Sequence, residues 1–311
     1  MRQRIKKLVK RDTVIFMFLK KINAVLEKSA LICQNFYIRF LELYYDFNSK
    51  RCEESGVYKD KRKEPLIISL TTIPERIDKV HLCIETLLEQ TLKPDNIILW
   101  IADNISKVQI PDSLERLKRR GLEIKFCEDI RSYKKYFYTL IENPKSIIVT
   151  ADDDLLYQKD WLERLYVAYE KEPQYIHCHR AHLMEKDVEG KLKSYYDWTW
   201  CSPGVTGPSL RLFPTGCAGV LYPPGSLHKE VLNKDVFMRI SPHADDVWLK
   251  AMSLLNGVQC KKVGSHSMPL YNIRGIKKGL WSINVERQND TSWYDQQIQA
   301  VFSYYGLYQS F

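Results

Sequence analysis

Three consecutive aspartates follow an apolar segment in the middle of the chain. Residues 147–150 are Ile-Ile-Val-Thr, and Asp152, Asp153 and Asp154 come almost directly after them. Adjacent carboxylates repel one another, and Mg²⁺ or Mn²⁺ would offset this repulsion because hard divalent cations bind carboxylate oxygens. Side chains alternate in an extended turn, so Asp152 and Asp154 are the predicted metal ligands. The alternative interpretation is a solvated turn or a helix cap ahead of Trp161.

The elements that must position these carboxylates alternate between strands and helices. Short apolar segments predict strands, and apolar residues at three-to-four spacing predict the helices between them. The alternation predicts an α/β fold with a mostly parallel sheet covered by helices on both faces. Predicted strands cover residues 66–70, 97–101, 122–126, 146–150, 175–179 and 258–263, and predicted helices cover residues 77–90, 113–120, 133–142 and 247–255.

Polar residues follow several of the predicted strands. Thr71 and Arg76 come after the first strand, Asp103 follows the second, and the three aspartates follow the fourth. Ligands of open α/β sheets bind at the carboxyl ends of the strands. We therefore expect these side chains to line one edge of the sheet.

The positive charge of the chain is concentrated near its N-terminus. Residues 1–63 contain 16 of the 47 Lys and Arg and 7 of the 38 Asp and Glu, so they carry the whole net charge of +9. The neutral remainder argues against a nucleic-acid groove across the body of the protein. Residues 1–47 have helical apolar spacing, and residues 48–64 are a charged linker. Two parts are predicted, a basic helical appendage with its linker at 1–63 and an α/β domain at 64–311.

Cysteine usage and the N-terminal segment bear on the compartment. The eight cysteines include no CxxC pair, and the apolar run at residues 13–19 is too short for a signal peptide or a membrane span. These features predict a cytoplasmic protein. The basic helix of residues 1–47 predicts peripheral binding to the anionic inner face of the plasma membrane. A packing or oligomerisation role for the same segment is the alternative.

Four motifs, in this order and spacing, resemble those of family 2-type glycosyltransferases with the GT-A fold. Residues 68–76 and 87–99 resemble the opening of that fold, and residues 147–154 resemble its DxD strand. Residues 215–222 resemble its acceptor-side glycine segment, and residues 245–249 resemble the Glu-Asp or Asp-Asp motif that follows. The similarity extends from about residue 65 to about residue 275 and implies a Rossmann-like GT-A domain.

The resemblance implies transfer of a sugar from a UDP-linked or similar nucleotide sugar to a glycan or lipid-linked acceptor, of the bacterial surface glycan type. It implies Mn²⁺ or Mg²⁺ as cofactor, a donor half at about 64–155 and an acceptor half at about 156–280. The implied general base is Asp246, the donor-binding residues are Thr71, Arg76, Asp103, Lys134, Lys135 and Asp153, and the metal ligands are Asp152, Asp154 and His266. The candidate acceptor-binding residues are Trp198, Trp200, Gly219, Asp245 and Trp248.

Sugar transfer requires a carboxylate that accepts the proton of the attacking hydroxyl. Asp246 is expected in this role, and direct displacement with one base would invert the anomeric configuration. The alternative for Asp245 and Asp246 is an N-cap of the following helix. His177 and His179 fall on one face of a predicted strand without a third ligand nearby, which favours a structural role.

Two other functions remain open from the sequence. A nucleotidyltransferase shares the α/β start and an acidic metal site, but the segment after the first strand, residues 71–76, lacks the glycine-rich basic loop expected of one. A non-catalytic adaptor would bind membrane or nucleic acid through residues 1–63. No GxGxxG or GxxxxGK[ST] segment is present, so the sequence does not support nicotinamide or P-loop chemistry.

Overall fold

A mostly parallel sheet organises the α/β part of the protein. The computed structural model describes residues 26–60, 62–103, 110–276, 287–288 and 291–311. Within these residues, the strands of the main sheet are β1 (Leu66–Thr71), β2 (Asn96–Ala102), β3 (Leu122–Cys127), β4 (Ile147–Thr150), β6 (Ile176–Cys178), β9 (Val220–Tyr222) and β10 (Cys260–Lys262). Short two-stranded ladders involve β5 (Leu155–Leu156), β7 (Ala181–Leu183), β8 (Leu212–Pro214), β11 (Tyr271–Asn272), β12 (Arg287–Gln288) and β13 (Thr291–Ser292).

Helices connect and cover these strands. Helix α1 comprises residues 26–48 of the described chain. The α-helices that follow are α2 (Val80–Leu88), α3 (Asp112–Lys118), α4 (Lys134–Glu142), α5 (Trp161–Lys171), α6 (Lys234–Ile240), α7 (Asp245–Leu255) and α8 (Trp293–Tyr305). Short 3-10 turns lie at Pro74–Arg76, Arg131–Tyr133, Tyr195–Asp197, Gly216–Ala218, Lys229–Leu232 and Leu307–Gln309.

The strand order of the main sheet is β10-β6-β9-β4-β1-β2-β3. Every neighbouring pair is parallel except the two pairs that β9 makes with β4 and β6. The predicted α/β class with a mostly parallel sheet is therefore confirmed. Strand β9 was not predicted, because three apolar residues after a glycine-containing segment give too short a pattern to recognise.

The chain reverses its direction of travel across the sheet between β1 and β4. It proceeds from β1 outward through β2 and β3, and then returns to pair β4 with the opposite side of β1. Such a reversal opens a crevice at the carboxyl ends of the two strands. Because β9 runs antiparallel and pairs Val220 with Thr150, the residues that precede β9 lie at this same edge.

Helix α4 is fixed against the sheet by a buried polar network. The Thr139 hydroxyl lies 2.7 Å from the Ser69 hydroxyl on β1, and the Trp100 indole N–H on β2 donates to it over 2.7 Å. Strand β1 itself is apolar and buried from Leu66 to Leu70, and Ser69 is its polar exception. The network satisfies these buried polar atoms and thereby sets the position of α4.

The domain boundary lies earlier than the sequence predicted. The chain divides into residues 1–44 and residues 45–311, instead of dividing at 63 and 64. Residues 45–63 are part of the larger unit because buried partners hold them. Gly56 N–H donates to Arg120 O over 2.8 Å, and the Arg120 guanidinium lies 2.5 Å from Glu85, which also accepts from Asn48. Backbone and amide groups of this segment therefore bind the larger unit, although most of the segment's charged side chains are exposed.

Two truncations should therefore differ in stability. Removal of residues 1–44 is expected to leave the melting temperature of the larger unit nearly unchanged. Removal of residues 1–63 is expected to lower it by several degrees, because the segment that covers Glu85 and Arg120 is lost. Thermal unfolding of the two truncated proteins and the full chain measures the difference. Equal melting temperatures for the two truncations would contradict the boundary at residue 45.

Helix α1 carries many exposed apolar side chains. They include Leu26, Leu31, Ile32, Phe36, Phe40 and Leu43. No helix within the described residues is long and apolar enough to cross a membrane. The predicted helical segment at residues 1–25 lies outside the described residues.

Candidate active site

The backbone at the three aspartates is held in place from several sides. Asp152 N–H donates to the Tyr157 hydroxyl over 2.8 Å, and the Cys83 thiol donates to Asp152 O over 3.2 Å. Ile273 N–H donates to Asp154 O over 2.8 Å. The turn after β4 is therefore a defined structure with fixed carboxylate positions.

Asp153 points into the protein and has two partners from the segment after β1. Its Oδ2 accepts a hydrogen bond from Thr72 Oγ1 at 2.7 Å, and its Oδ1 lies 2.5 Å from Arg76 Nη1. Burial raises the pKa of Asp153, and the charge of Arg76 and the Thr72 hydrogen bond only partly counter this. Asp153 therefore ties the end of β4 to the end of β1.

Asp154 is more exposed and shares the same arginine. Its Oδ2 lies 3.1 Å from Arg76 Nη1, and 27% of its side chain is exposed. Burial, followed by the charges of Asp152 and Asp153, raises the pKa of Asp154 to about 6. A nearby cation would stabilise the charged form of a carboxylate that is disfavoured in this way.

Lys135 connects the aspartate turn to the start of α7. Lys135 and Thr139 are one turn apart on the same face of α4, so the network that fixes Thr139 directs Lys135 to the sheet edge. Its ammonium lies 2.7 Å from Asp152 Oδ1 and 3.2 Å from Asp245 Oδ2. Burial opposes its charge, but the surrounding carboxylates outweigh burial and raise the pKa of Lys135 well above its usual value.

Asp246 approaches the glycine segment that precedes β9. Its Oδ1 accepts a hydrogen bond from Gly216 N–H at 3.0 Å. Burial and the charge of Asp245 raise the pKa of Asp246 to about 7, although Lys135 acts in the opposite direction. A pKa near neutrality suits a group that must accept a proton at physiological pH.

The N-cap interpretation of the Asp245-Asp246 pair is wrong. Helix α7 begins at Asp245, its N-cap is Ala244, and no side chain caps it by a hydrogen bond. Both aspartates are the first residues of the helix, where negative charge is stabilised by the helix dipole. Their side chains therefore remain available to the site.

Gly216 leaves just enough room for Asp246. A Cβ at this position would lie 2.8 Å from Asp246 Oδ1 and 3.4 Å from Lys135 Nζ. We expect Gly216→Ala to displace the Asp246 carboxylate and lower turnover by roughly tenfold, because a hydrogen bond to a charged group is lost. The fold and the binding of nucleoside diphosphate should change little. Gly264→Ala is the control, since its Cβ would meet only His266 O, at 3.6 Å; equal turnover of both variants would exclude the steric argument.

The chain itself supplies part of the charge that the aspartates require. Ion pairs to the carboxylates of residues 152–154 and 245 come, within the described residues, from Arg76 and Lys135. With Asp246, five carboxylates surround these two cations. The sequence suggested a divalent metal as the charge that offsets the aspartates, whereas in the structure two basic side chains offset part of it. An excess of negative charge remains.

Carboxylates of the kind that binds divalent cations are concentrated at this edge. Arg76 and Lys135 engage one oxygen each of Asp154 and Asp152, and burial together with the neighbouring carboxylates raises the pKa of Asp154. Carboxylate oxygens are the ligands that Mg²⁺ and Mn²⁺ prefer. In the described part of the chain, no group of three or more His, Cys, Asp or Glu side chains is positioned so that it could hold a metal ion.

Other residues predicted to bind the donor have defined positions. The Lys134 ammonium lies 2.5 Å from Asp129 Oδ1, so it is Lys135 that reaches the aspartate turn. The Thr71 hydroxyl donates to Trp100 O over 2.9 Å. Asp103 is exposed at the end of β2.

His266, predicted as a metal ligand, is exposed, and its Nδ1 lies 3.0 Å from Ser265 Oγ. No group of metal-ligating side chains that includes it occurs within the described ranges. His177 and His179 are buried and bind the backbone, at 2.9 Å from Glu172 O and 2.8 Å from Trp161 O respectively. These contacts agree with a structural role for the histidine pair.

Three predicted acceptor contacts are core residues instead. The Trp198 and Trp248 side chains are 4% and 0% exposed, and their indole N–H groups donate to Lys193 O and Val231 O. Gly219 is buried with a φ of +96°, and a Cβ there would overlap the Trp161 indole. All three residues are buried in this structure, so none of them is exposed to an acceptor.

The remaining tryptophan, Trp200, is partly buried in an aromatic cluster. Its ring centroid lies 4.8 Å from that of His182 and 5.3 Å from that of Tyr195. The loop that follows is anchored, because the buried Lys262 ammonium donates to Cys201 O and Ser202 O, each over 2.8 Å. These two hydrogen bonds hold the first residues of the loop against β10.

Several residues of the site were not identified from the sequence. Thr72, and not Thr71, binds Asp153, and the sequence does not distinguish between adjacent threonines. Tyr157 joins two parts of the site, because its hydroxyl accepts from Asp152 N–H and donates to Cys217 O. Arg180 lies beside Cys217 through a contact that no local pattern reveals.

Two solved structures are similar to this chain in part. A mannosyltransferase from Pyrobaculum calidifontis in complex with GDP-Man and Mn²⁺ has 13% identity and a TM-score of 0.40, over 74% of this chain and 64% of that chain. A CMP:2-keto-3-deoxy-manno-octonic acid synthetase complexed with CTP has 10% identity and a TM-score of 0.36, over 65% of this chain and 89% of that chain. This chain thus spans less than two thirds of the length of that mannosyltransferase. No protein-family model matches the sequence, and no curated protein matches it.

Proposed function

We propose that this protein is a metal-dependent glycosyltransferase of the GT-A type that transfers a sugar from a nucleotide-sugar donor with inversion. The observation that supports this most is the meeting of two aspartate groups at one sheet edge. Lys135 contacts both Asp152 after β4 and Asp245 at the start of α7. This edge adjoins the crevice between β1 and β4, where α/β sheets bind nucleotides.

The donor would lie at the ends of β1 and β4. Asp152 and Asp154 would hold Mn²⁺ or Mg²⁺, and the bound cation would neutralise charge on the leaving nucleoside diphosphate. Arg76 holds Asp153 and Asp154 together and thereby orients the turn. Thr71 and Asp103, at the ends of adjacent strands, are the proposed contacts to the nucleoside.

Asp246 is the proposed general base. This role is supported by the pKa of Asp246, which is raised to about 7, and by the hydrogen bond from Gly216 N–H in the segment that leads into β9. In this role it accepts the proton of the attacking acceptor hydroxyl as the new glycosidic bond forms. Lys135 lies within reach of the carboxylates on both sides and would limit their mutual repulsion.

The proposed acceptor is a glycan or lipid-linked glycan. We propose that residues 1–47 bind an anionic membrane surface, which is supported by the basic charge of residues 1–63 and the exposed apolar side chains of α1. The full chain should sediment with anionic vesicles, whereas the 45–311 protein should remain in the supernatant. Equal retention of both would contradict a membrane role for this segment.

A donor screen tests the proposed activity against the nucleotidyltransferase alternative. The full chain is incubated with Mn²⁺ and a panel of nucleotide sugars, and separately with nucleoside triphosphates and sugar 1-phosphates. Release of nucleoside diphosphate from a nucleotide sugar supports the glycosyltransferase. Release of pyrophosphate from a triphosphate with formation of a nucleotide sugar would identify a nucleotidyltransferase instead.

A further inference from the structure

Arg180 occupies the same sheet edge as the candidate active site. It lies two residues after the end of β6, which is parallel to β4 because both strands pair antiparallel with β9. Its carbonyl accepts a hydrogen bond from Thr215 N–H at 3.1 Å, one residue before the Gly216 that binds Asp246. The arginine therefore stands on the side of Asp246, across β4 from the proposed nucleotide crevice.

The guanidinium of Arg180 has only weak acceptors within the described chain. Its Nε–H donates to Cys201 Sγ over 3.3 Å and its Nη1–H donates to Cys217 Sγ over 3.2 Å. Thiol sulfur is a poor acceptor, and a guanidinium has five N–H donors. In the part of the chain that the structure describes, no carboxylate lies within ion-pair distance of it. Arg76 and Lys135, by contrast, are both paired with carboxylates.

The environment of Arg180 makes this lack of a carboxylate costly. The side chain is half-buried, and arginines that leave water are usually paired with an anion. The Cys217 thiol that accepts from Arg180 directly follows Gly216, whose N–H donates to Asp246 Oδ1, so the arginine and Asp246 contact adjacent residues. An anionic group of a ligand bound between Arg180 and Asp246 could accept hydrogen bonds from the Arg180 guanidinium. A hydroxyl of the same ligand could then approach Asp246, the proposed base.

We propose that Arg180 binds an anionic group, a carboxylate or a phosphate, carried by the acceptor. The inference rests on the proposed function, because the acceptor side is defined by Asp246. A planar guanidinium with free N–H groups matches the two oxygens of a carboxylate or phosphate. The Cys201 and Cys217 thiols accept hydrogen bonds from the guanidinium without neutralising its charge. The acceptor class implied is an acidic sugar or a phosphate-bearing glycan.

Anion binding can be measured without transfer. Inorganic phosphate and glucuronate are titrated into the full chain that is saturated with UDP or GDP and Mn²⁺, with glucose as the neutral counterpart of glucuronate. Arg180→Gln is expected to weaken binding of both anions by about tenfold or more. Its affinity for the nucleoside diphosphate should stay within about twofold of the wild-type affinity. Arg164→Gln, which removes an exposed arginine paired with Asp160, should leave all affinities unchanged.

Three results would overturn the proposal. Unchanged anion binding by Arg180→Gln would show that Arg180 is not the site. Loss of nucleoside diphosphate affinity in this variant would assign the arginine to the donor phosphates. Equal affinity of the wild type for glucose and glucuronate would contradict the proposal that the acceptor is acidic.

A second variant guards against a folding defect. Arg180→Lys keeps the charge and should retain phosphate binding better than glucuronate binding, because only the planar group binds a carboxylate through two parallel hydrogen bonds. Equal losses for the two anions would contradict that geometry. Failure of the wild type to bind any nucleoside diphosphate would instead reject the proposed function, and the comparison of phosphate binding still decides the role of Arg180.

Discussion

Replacement of Asp246 with Asn is expected to lower turnover by about 100-fold or more, as removal of a positioned general base typically does. Asn has the same size, and its side-chain oxygen can still accept the hydrogen bond from Gly216 N–H. Nucleoside diphosphate affinity should therefore remain close to that of the wild type. Steady-state kinetics with donor and acceptor, together with a binding titration, measure the two effects separately.

The pH dependence of Asp246 gives this variant an independent signature. The pKa of Asp246 is raised from 3.8 to about 7, so wild-type turnover should increase as the pH rises through about 7. Stability should change in the opposite sense. Because the pKa of Asp246 is higher in the folded state than in the unfolded state, protonated Asp246 adds to the free energy of unfolding. This contribution is fully present below pH 3.8 and is lost as the pH rises through about 7. Asp246→Asn should reduce both dependences.

Two controls define what would contradict this assignment. Asp160→Asn removes an exposed aspartate that pairs with Arg164, and it should alter neither turnover nor binding. Asp245→Asn removes a partner of Lys135 and should cost less turnover than Asp246→Asn. Near-normal turnover of Asp246→Asn, or a deeper loss in Asp245→Asn, would show that Asp246 is not the base. A product that retained the donor configuration would reject single displacement.

Asp152→Asn and Asp154→Asn are expected to reduce transfer by roughly 1000-fold, because each removes a proposed ligand of the divalent cation. Stability should not suffer in the same way. The charge of Asp154 is disfavoured in the folded protein, so its removal should leave the melting temperature unchanged or raise it. Lys135 retains Asp245 as a partner when Asp152 is replaced.

The measurement combines turnover across a range of Mn²⁺ concentrations with thermal unfolding of each variant. A loss of activity that excess Mn²⁺ partly restores, in a protein of unchanged stability, is the expected result. Asp153→Asn is the contrasting variant, since Asp153 is held by Thr72 and Arg76 and should affect stability more. Normal activity of Asp152→Asn and Asp154→Asn without added metal would show that transfer does not depend on a metal bound by these residues.

The sequence predicted the parts of the fold that long apolar patterns define. Strands β1 and β2 lie within one residue of their predicted bounds, because buried strands of a parallel sheet are nearly continuous apolar segments. Strand β3, at the edge of the sheet, is equally close to its predicted bounds because apolar and polar residues alternate along it. Strand β9 was missed because only three residues form it. The division at residue 45 was missed because Asn48 and the Glu54 carbonyl bind Glu85 and Arg120, which are distant in sequence.

The candidate site was predicted less completely than the sheet. The aspartates could be found from their types and their place after β4, but their contacts with Arg76 and Lys135 depend on the packing of α4 and the turn after β1. The tryptophans show that residue type and neighbouring sequence do not distinguish a binding-site ring from a core ring. Trp198 lies beside a loop rich in glycine and proline and looks like an acceptor platform, yet its ring packs against Tyr195 and Phe213 in the core.

Calorimetric titration of UDP and GDP into the full chain, with Mn²⁺ and with excess chelator, tests metal-dependent donor binding most directly. The proposed site predicts binding of at least one nucleoside diphosphate with Mn²⁺, and an affinity at least about tenfold weaker in chelator, because the carboxylates of Asp152 and Asp154 would otherwise repel the phosphates. Asp152→Asn should weaken the binding seen with Mn²⁺. Equally tight binding in chelator, or no binding of either nucleotide with Mn²⁺ present, would contradict the account.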